Sequence, residues 1–357
     1  MKTFTKILLS SLTLCLGACD AGDGVDFSDG EVAFRPFSSG IKLNTSFILT
    51  LEVPEFHMKG VQHKGAQLDA VCLDPKATDT KYPVCLFADK GEVWVEKGMV
   101  RGQKGQSHYE AEKFINSRWL TKLDYDKNGV LDSSIELRIT DYKPYVSPSG
   151  YDVFDYYWVY DPATAGGLIT KYVEKQAGLV PMCEPDGGDP TQVGSILLEH
   201  TSLNTDMATT DGKVHFMPDV THLACHSSAV AKPTSWGYPM TMVQDQMGGP
   251  EKARRGYESI IRAVRLDACN NGYSFTQPGE QVAVDDVFGV NREGDPSLKL
   301  EGIVSLKKGW VCIGDDLRNG KTFADIEAKC PGMVTHCDDL GASHWSDVSA
   351  DLMTQLP

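Results

Sequence analysis

The chain has 357 residues, 41% of them hydrophobic, enough for one large domain or two moderate ones around a real core. With 34 basic against 49 acidic residues its formal charge is −15, which excludes a uniform nucleic-acid or anionic-membrane surface, because phosphate binding needs clustered cations.

Residues 1–18 read as an export signal. Lys2 and Lys6 supply the positive start, and Ile7 to Leu16 form an apolar run, shorter than the roughly 20 residues that span a bilayer. Leu16-Gly17-Ala18-Cys19 resembles the lipobox of bacterial lipoproteins. The resemblance implies that Cys19 is lipidated, becomes the first residue of the mature chain and holds it to the inner or outer membrane of the cell envelope. Residues 19–40, rich in Gly, Asp and Ser, have the composition of a flexible spacer.

Residues 41–150 are expected to form a β-rich unit, a sandwich or barrel-like arrangement. Short β-branched or aromatic runs bounded by Gly, Pro or Asp predict strands at Phe47 to Val53, Glu92 to Glu96, Ile135 to Thr140 and Val153 to Tyr160. Between them, Asp124, Asp126, Asn128 and Asp132 supply oxygens with the spacing that opens a calcium loop, but Ile135 stands where the closing acid belongs. The competing reading makes Asn128-Gly129 a two-residue hairpin turn between Leu120 to Tyr125 and Val130 to Leu137. Phe154, Tyr156, Trp158 and Tyr160 alternate and so share one face, as either a sandwich core or a sugar-stacking strip requires.

Residues 151–340 mix helix and strand, leaving 341–357 as a tail. Pro250 followed by Tyr257, Ile260, Ile261 and Val264 predicts a helix over 250–267. Further helices are expected near 222–232 and 321–329, with strands at Gln281 to Val284 and Leu298 to Val304. Arg254, Arg255, Arg262 and Arg265 on the 250–267 helix suit either anionic glycan or lipid headgroups or a solvated face. On the 222–232 helix, His222 and His226 would stand one turn apart, a spacing that serves a shared metal or two structural histidines flanking a disulfide.

Eight cysteines remain once Cys15 leaves with the signal and Cys19 takes lipid: Cys72, Cys85, Cys183, Cys225, Cys269, Cys312, Cys330 and Cys337. An even number in an exported chain reads as disulfides, and the absence of any Cys-x-x-Cys argues against zinc ribbons and thioredoxin-like redox sites. Loop closure favours Cys72 with Cys85 and Cys330 with Cys337, although distant pairings stay open. Neither Gly-x-Ser-x-Gly nor a phosphate-cradling Gly-rich loop occurs, and no catalytic residue or cofactor is assigned.

The stretch His222-Leu-Ala-Cys225-His-Ser-Ser-Ala-Val-Ala-Lys232-Pro-Thr-Ser-Trp236-Gly237-Tyr238 resembles the corresponding segment of the ADYC domain of exported proteins and lipoproteins of myxobacteria and their relatives. Arg262-Ala-Val-Arg265-Leu-Asp267-Ala-Cys269-Asn-Asn-Gly272-Tyr-Ser274-Phe-Thr276 resembles its name-giving motif and the turn after it. Gly309-Trp-Val-Cys312 and Ile326-Glu-Ala-Lys-Cys330-Pro331 match its late cysteines in order, so the likeness runs over roughly 150–340. Ala-Asp-Tyr-Cys is here Leu266-Asp267-Ala268-Cys269, without the tyrosine. Pro233 and Ile260 stand where the family is expected to carry two more cysteines, which implies a mutual disulfide there that this chain has lost.

These readings give an α+β, β-rich fold: an N-terminal β-sandwich or barrel-like unit followed by a disulfide-bonded α+β domain. The expected role is a lipid-anchored, non-enzymatic binding or structural module contacting envelope protein or glycan, without nucleic acid. The alternatives are a hydrolase with a dispersed site that uses His222 or His226, and a calcium-dependent adhesion module.

Overall fold

The computed structural model describes residues 41–43 (backbone only), 55–87, 91–124, 128–160, 179–183, 194–203, 213–277, 279–292 and 297–357. The signal peptide, Cys19, the spacer, the strand expected at Phe47 to Val53 and Asp126 lie outside the described residues.

In chain order the strands are β1 (Ile41–Leu43), β2 (Glu55–His57), β3 (Ala66–Leu73), β4 (Val84–Leu86), β5 (Glu92–Glu96), β6 (Met99–Lys104), β7 (Ser107–Glu110), β8 (Arg118–Leu123), β9 (Ser133–Val146) and β10 (Asp152–Tyr160). They continue with β11 (Val180–Pro181), β12 (Gly194–Leu203), β13 (Val214–Cys225), β14 (Gln281–Asp286), β15 (Lys299–Ser305), β16 (Gly309–Ile313) and β17 (Leu352–Leu356). The helices are α1 (Pro75–Thr78), α2 (Lys232–Ser235), α3 (Met240–Met247), α4 (Pro250–Arg265) and α5 (Phe323–Lys329).

An antiparallel sheet in the order β2-β13-β12-β10-β9-β8-β3-β4, with β11 beside β10, organises the chain. Among the described residues its path leaves β2 and β4 at the edges, with no pairing that closes it. Both faces are covered, as the burial along its strands shows. Leu197, Leu223, Phe154, Tyr156 and Trp158 pack with Trp119, Phe56 and the small β5-β6-β7 sheet on one side. Ile196, Leu198, Ala224 and Val153 pack on the other side with α2, α3, α4 and residues of a second sheet ordered β1-β14-β17-β15-β16. The position between residues 150 and 151 falls in the turn joining β9 to β10, inside the first sheet.

The aromatic alternation in β10 is therefore core. Tyr156 and Trp158 are fully buried, and the Trp158 ring meets Trp119 edge-on at 5.0 Å, so the strip is not a sugar-stacking surface. Asp124 to Asp132 form a longer β8–β9 connection than a two-residue turn, because Leu123 pairs with Ser133. Its start is fixed by the Asp124 carboxylate, which accepts from the backbone N–H of Asn128 (3.0 Å) and Gly129 (2.8 Å).

Two expectations are overturned. Residues 222–225 are not helical: they end β13, hydrogen-bonded to β12 and, at His222, also to β2, and only Lys232–Ser235 turns into helix. Sheet pairing on both sides outweighs the weak helical spacing of His222, Cys225 and Ala229. Residues 341–357 are not a tail either, since β17 lies at the middle of the second sheet between β14 and β15.

Candidate functional site

All eight described cysteines are joined: Cys72–Cys85, Cys183–Cys225, Cys269–Cys330 and Cys312–Cys337. The first is the expected local pair on adjacent strands. The expected Cys330–Cys337 bond is replaced by two long-range ones. The reason lies in the backbone, where Cys337 N donates to Ile313 O (2.9 Å) and Ile313 N to Thr335 O (3.0 Å), laying Cys337 beside Cys312. Short separation along the chain is overruled by this ladder.

With β13 extended, His222 and His226 stand about 13 Å apart along the strand and cannot share one ion. Each instead meets its own carboxylate. His222, fully buried, is the cross-strand partner of Glu55 on β2, with Nδ1 3.3 Å from Glu55 Oε1. Glu55 Oε2 is 2.6 Å from His63 Nε2 and accepts from Ser202 Oγ (2.9 Å), while Oε1 accepts from Lys64 Nζ (3.0 Å) and Leu203 N (2.7 Å). Burial pushes the Glu55 carboxyl up, but hydrogen bonds from His222 and His63, together with the charges of His222 and Lys64, outweigh it and hold the group well below the carboxylate range. His226 lies just past β13 with Nε2 2.8 Å from Asp155 Oδ1, both groups buried.

Neither histidine lines a described cavity. The larger cavity, about 310 Å³, lies between β5 and the β2–β13 edge of the first sheet, where Met58, Phe87, Val93, Trp94, Val220 and His200 are among its walls. A second of about 30 Å³ lies between the Lys97-Gly98 turn and the start of α3. His222 and His226 act as tie points between strands.

The helix arginines fit neither reading made of them, apart from exposed Arg255. Arg254 is fully buried: its guanidinium donates to Glu199 O and lies 5.7 Å from the Phe216 ring centroid. Burial lowers its pKa to about 10 despite the nearby Glu199. Arg262 pairs with Glu258, and Arg265 donates to Gly272 O (2.5 Å). In the Leu-Asp-Ala-Cys motif, Asp267 is buried and accepts from Gly272 N (3.0 Å) and Asn271 N (3.3 Å), fixing the turn beyond the Cys269–Cys330 bridge. Burial pushes its carboxyl up against the opposing charges of Arg265 and Arg262. Ala268 fills the place of the family's tyrosine, also buried. Pro233 and Ile260 are both buried, on helices α2 and α4, which are linked where the Thr234 and Tyr257 hydroxyls meet at 3.2 Å.

Sequence reasoning missed two buried polar centres. Tyr238 of the Trp-Gly-Tyr segment donates to Asp286 Oδ2 (2.7 Å) and accepts from Asn291 Nδ2 (2.8 Å), which also donates to Trp236 O (2.9 Å). Arg318 donates through Nε to Glu301 Oε1 (2.6 Å), through Nη2 to Oε2, and through Nη1 to Val264 O (2.9 Å). The partners in each centre are far apart in the chain, so no local pattern announces them.

These features define a β-rich protein of an oxidising environment, crosslinked by four disulfides and held by buried ion pairs, and no helix of the described residues is long and apolar enough to cross a membrane. The family model of the ADYC domain matches residues 111–318, more than half of the chain, and the chain belongs to that family. The match begins at Ala111, well before the 150 expected from motifs alone. No curated protein and no solved structure matches it.

Proposed function

We propose that this chain is a lipid-anchored module of the bacterial cell envelope that works by binding an envelope protein, not by catalysis. The observation that carries the reading is the burial of His222 and His226, the two residues a dispersed hydrolase site would use as base. Both are engaged with carboxylates inside the sheet and line neither cavity. The anchor is supported by Leu16-Gly17-Ala18-Cys19 and by the oxidising compartment that four disulfides indicate.

On this reading the partner docks in the cleft beside β5 through an extended segment of polypeptide. Gly91 to Val95 line that cleft consecutively. Alternate strand residues point to opposite faces, so the four in a row from Glu92 to Val95 are presented together only along a strand's edge, and β5 pairs with β6 alone among the described residues. An open edge beside apolar walls is the arrangement that strand addition uses.

Two measurements test the reading in the native host. Palmitate labelling is expected to mark the wild type and not Cys19→Ser, and globomycin is expected to block processing; an unlabelled wild type removes the anchor. A photo-reactive residue at Glu92 is expected to give a discrete protein adduct that the same probe at exposed Tyr273 does not give. Adducts at neither position, or equally at both, remove the cleft.

A further inference from the structure

We propose that Asp315, His336 and Asp338 form a binding site for a divalent transition-metal ion, Zn²⁺ being the ion this donor set suits. One ligand atom from each of the three lies within 4.8 Å of the other two. The site is remote in sequence from the β5 cleft and independent of the reading above.

The frame that holds these residues is complete without an ion. Asp315 follows β16 closely, and His336 and Asp338 flank Cys337. The Ile313–Thr335 and Cys337–Ile313 backbone bonds join the two segments, and the Cys312–Cys337 disulfide crosslinks them. The His336 ring is set by the edge-on ring of Phe323 at 4.6 Å and by Asp315, whose Oδ1 lies 2.9 Å from Nε2. Nδ1 of the same ring is 4.0 Å from Asp338 Oδ2.

The two carboxylates are 78% and 81% exposed, and Asp315 meets the ring through the 2.9 Å contact to Nε2. A tetrahedral zinc ion with bonds of about 2.0–2.1 Å spaces its donors about 3.3 Å apart, so on this proposal the exposed carboxylates draw inward from their present spacing of up to 4.8 Å to meet the ion. Asp316 and Asp339 add negative charge to the same surface, and Lys299 is paired with Asp316 at 2.8 Å, so a cation placed between Asp315 and Asp338 relieves repulsion. The imidazole donor favours zinc over calcium or magnesium, which take oxygen ligands. Three protein ligands leave a fourth position for water or for a donor from another molecule.

The test is calorimetric titration of the processed, chelator-treated protein with ZnCl₂, with CaCl₂ as a parallel arm. One equivalent of zinc is expected to bind saturably near neutral pH. Calcium is expected to give no saturable heat. His336→Ala is expected to abolish zinc binding, and Asp338→Asn, a change at an exposed position that leaves the disulfide frame alone, to weaken it. Zinc binding unchanged in both variants overturns the site. So does an absence of saturable zinc binding, or calcium binding as tight as zinc, which would make this an acidic patch only.

Discussion

His226 reaches across strand β12 to bring its Nε2 within 2.8 Å of Asp155 Oδ1, and it does so over Gly194. A Cβ at residue 194 would meet His226 Cδ2 at 3.2 Å and Tyr157 Cζ at 3.5 Å, so the glycine is what leaves room for the ring. Removing one partner of a buried pair leaves the other charge without compensation, which costs about 3 kcal/mol or more. His226→Ala is therefore expected to lower the unfolding free energy by about that amount in denaturant titration. Replacing both residues with leucine is expected to cost less than the sum of the single changes. Additive losses would mean that the two groups do not act as a pair.

Much of the fold is legible in the sequence because local pattern and tertiary demand agree. The Pro250-led helix, the Phe323–Lys329 helix and the strands at Glu92–Glu96 and Gln281–Asp286 all carry their own periodicity or end signals. The chain misleads where long-range pairing decides. Val220 to Cys225 has little periodicity of its own, and the partners that make it strand are Glu55 to His57 and Ser195 to Glu199, far away in sequence. Leu352–Leu356 is five residues at the end of the chain, and nothing local distinguishes a frayed end from a central strand. The four buried polar centres, Glu55–His222, Asp155–His226, Asp286–Tyr238 and Glu301–Arg318, are visible only once the fold brings a strand residue against its distant partner.

Glu55 makes stability depend on pH in a definite direction. Its folded-state pKa lies below the ordinary 4.5, so the ionised carboxylate stabilises the fold fully above that value. The contribution is withdrawn as the pH falls through the acid range toward the depressed folded value. Glu55→Gln is expected to be less stable at pH 7 by about 3 kcal/mol, and its melting temperature to vary less between about pH 5 and pH 2 than that of the wild type. Parallel melting curves over that range would remove Glu55 as the source.

The disulfide pattern is open to peptide mapping of the oxidised protein, which is expected to recover Cys330 joined to Cys269 and Cys337 joined to Cys312, never Cys330 to Cys337. The loops differ in length: Cys269–Cys330 spans 61 residues and Cys72–Cys85 only 13. On the chain-entropy account, replacing the longer bridge by a serine pair costs about 4 kcal/mol and the shorter about 3 kcal/mol. Denaturant titration of the two serine-pair variants is expected to rank them in that order, and the reverse order would place the dominant effect in native packing.

Gly237 is the position where conformation and space act together. Its φ of 97° is one that side chains with a Cβ rarely adopt, and a Cβ there would lie 2.5 Å from Val290 Cγ1 and 3.4 Å from Pro148 Cβ. Its neighbours, Trp236 and Tyr238, supply the carbonyl and hydroxyl that Asn291 holds, so a shift at 237 also disturbs the Tyr238–Asp286 bond. Gly237→Ala is expected to cost about 3 kcal/mol, from backbone strain and overpacking combined. The two parts separate in a double-mutant cycle with Val290→Ala, which empties the space the new methyl needs. A favourable coupling of about 1 kcal/mol or more is expected if crowding contributes, and the remaining loss belongs to the left-handed backbone. Zero coupling would assign the whole effect to conformation, and a Gly237→Ala protein as stable as wild type would mean that the turn takes another path in solution.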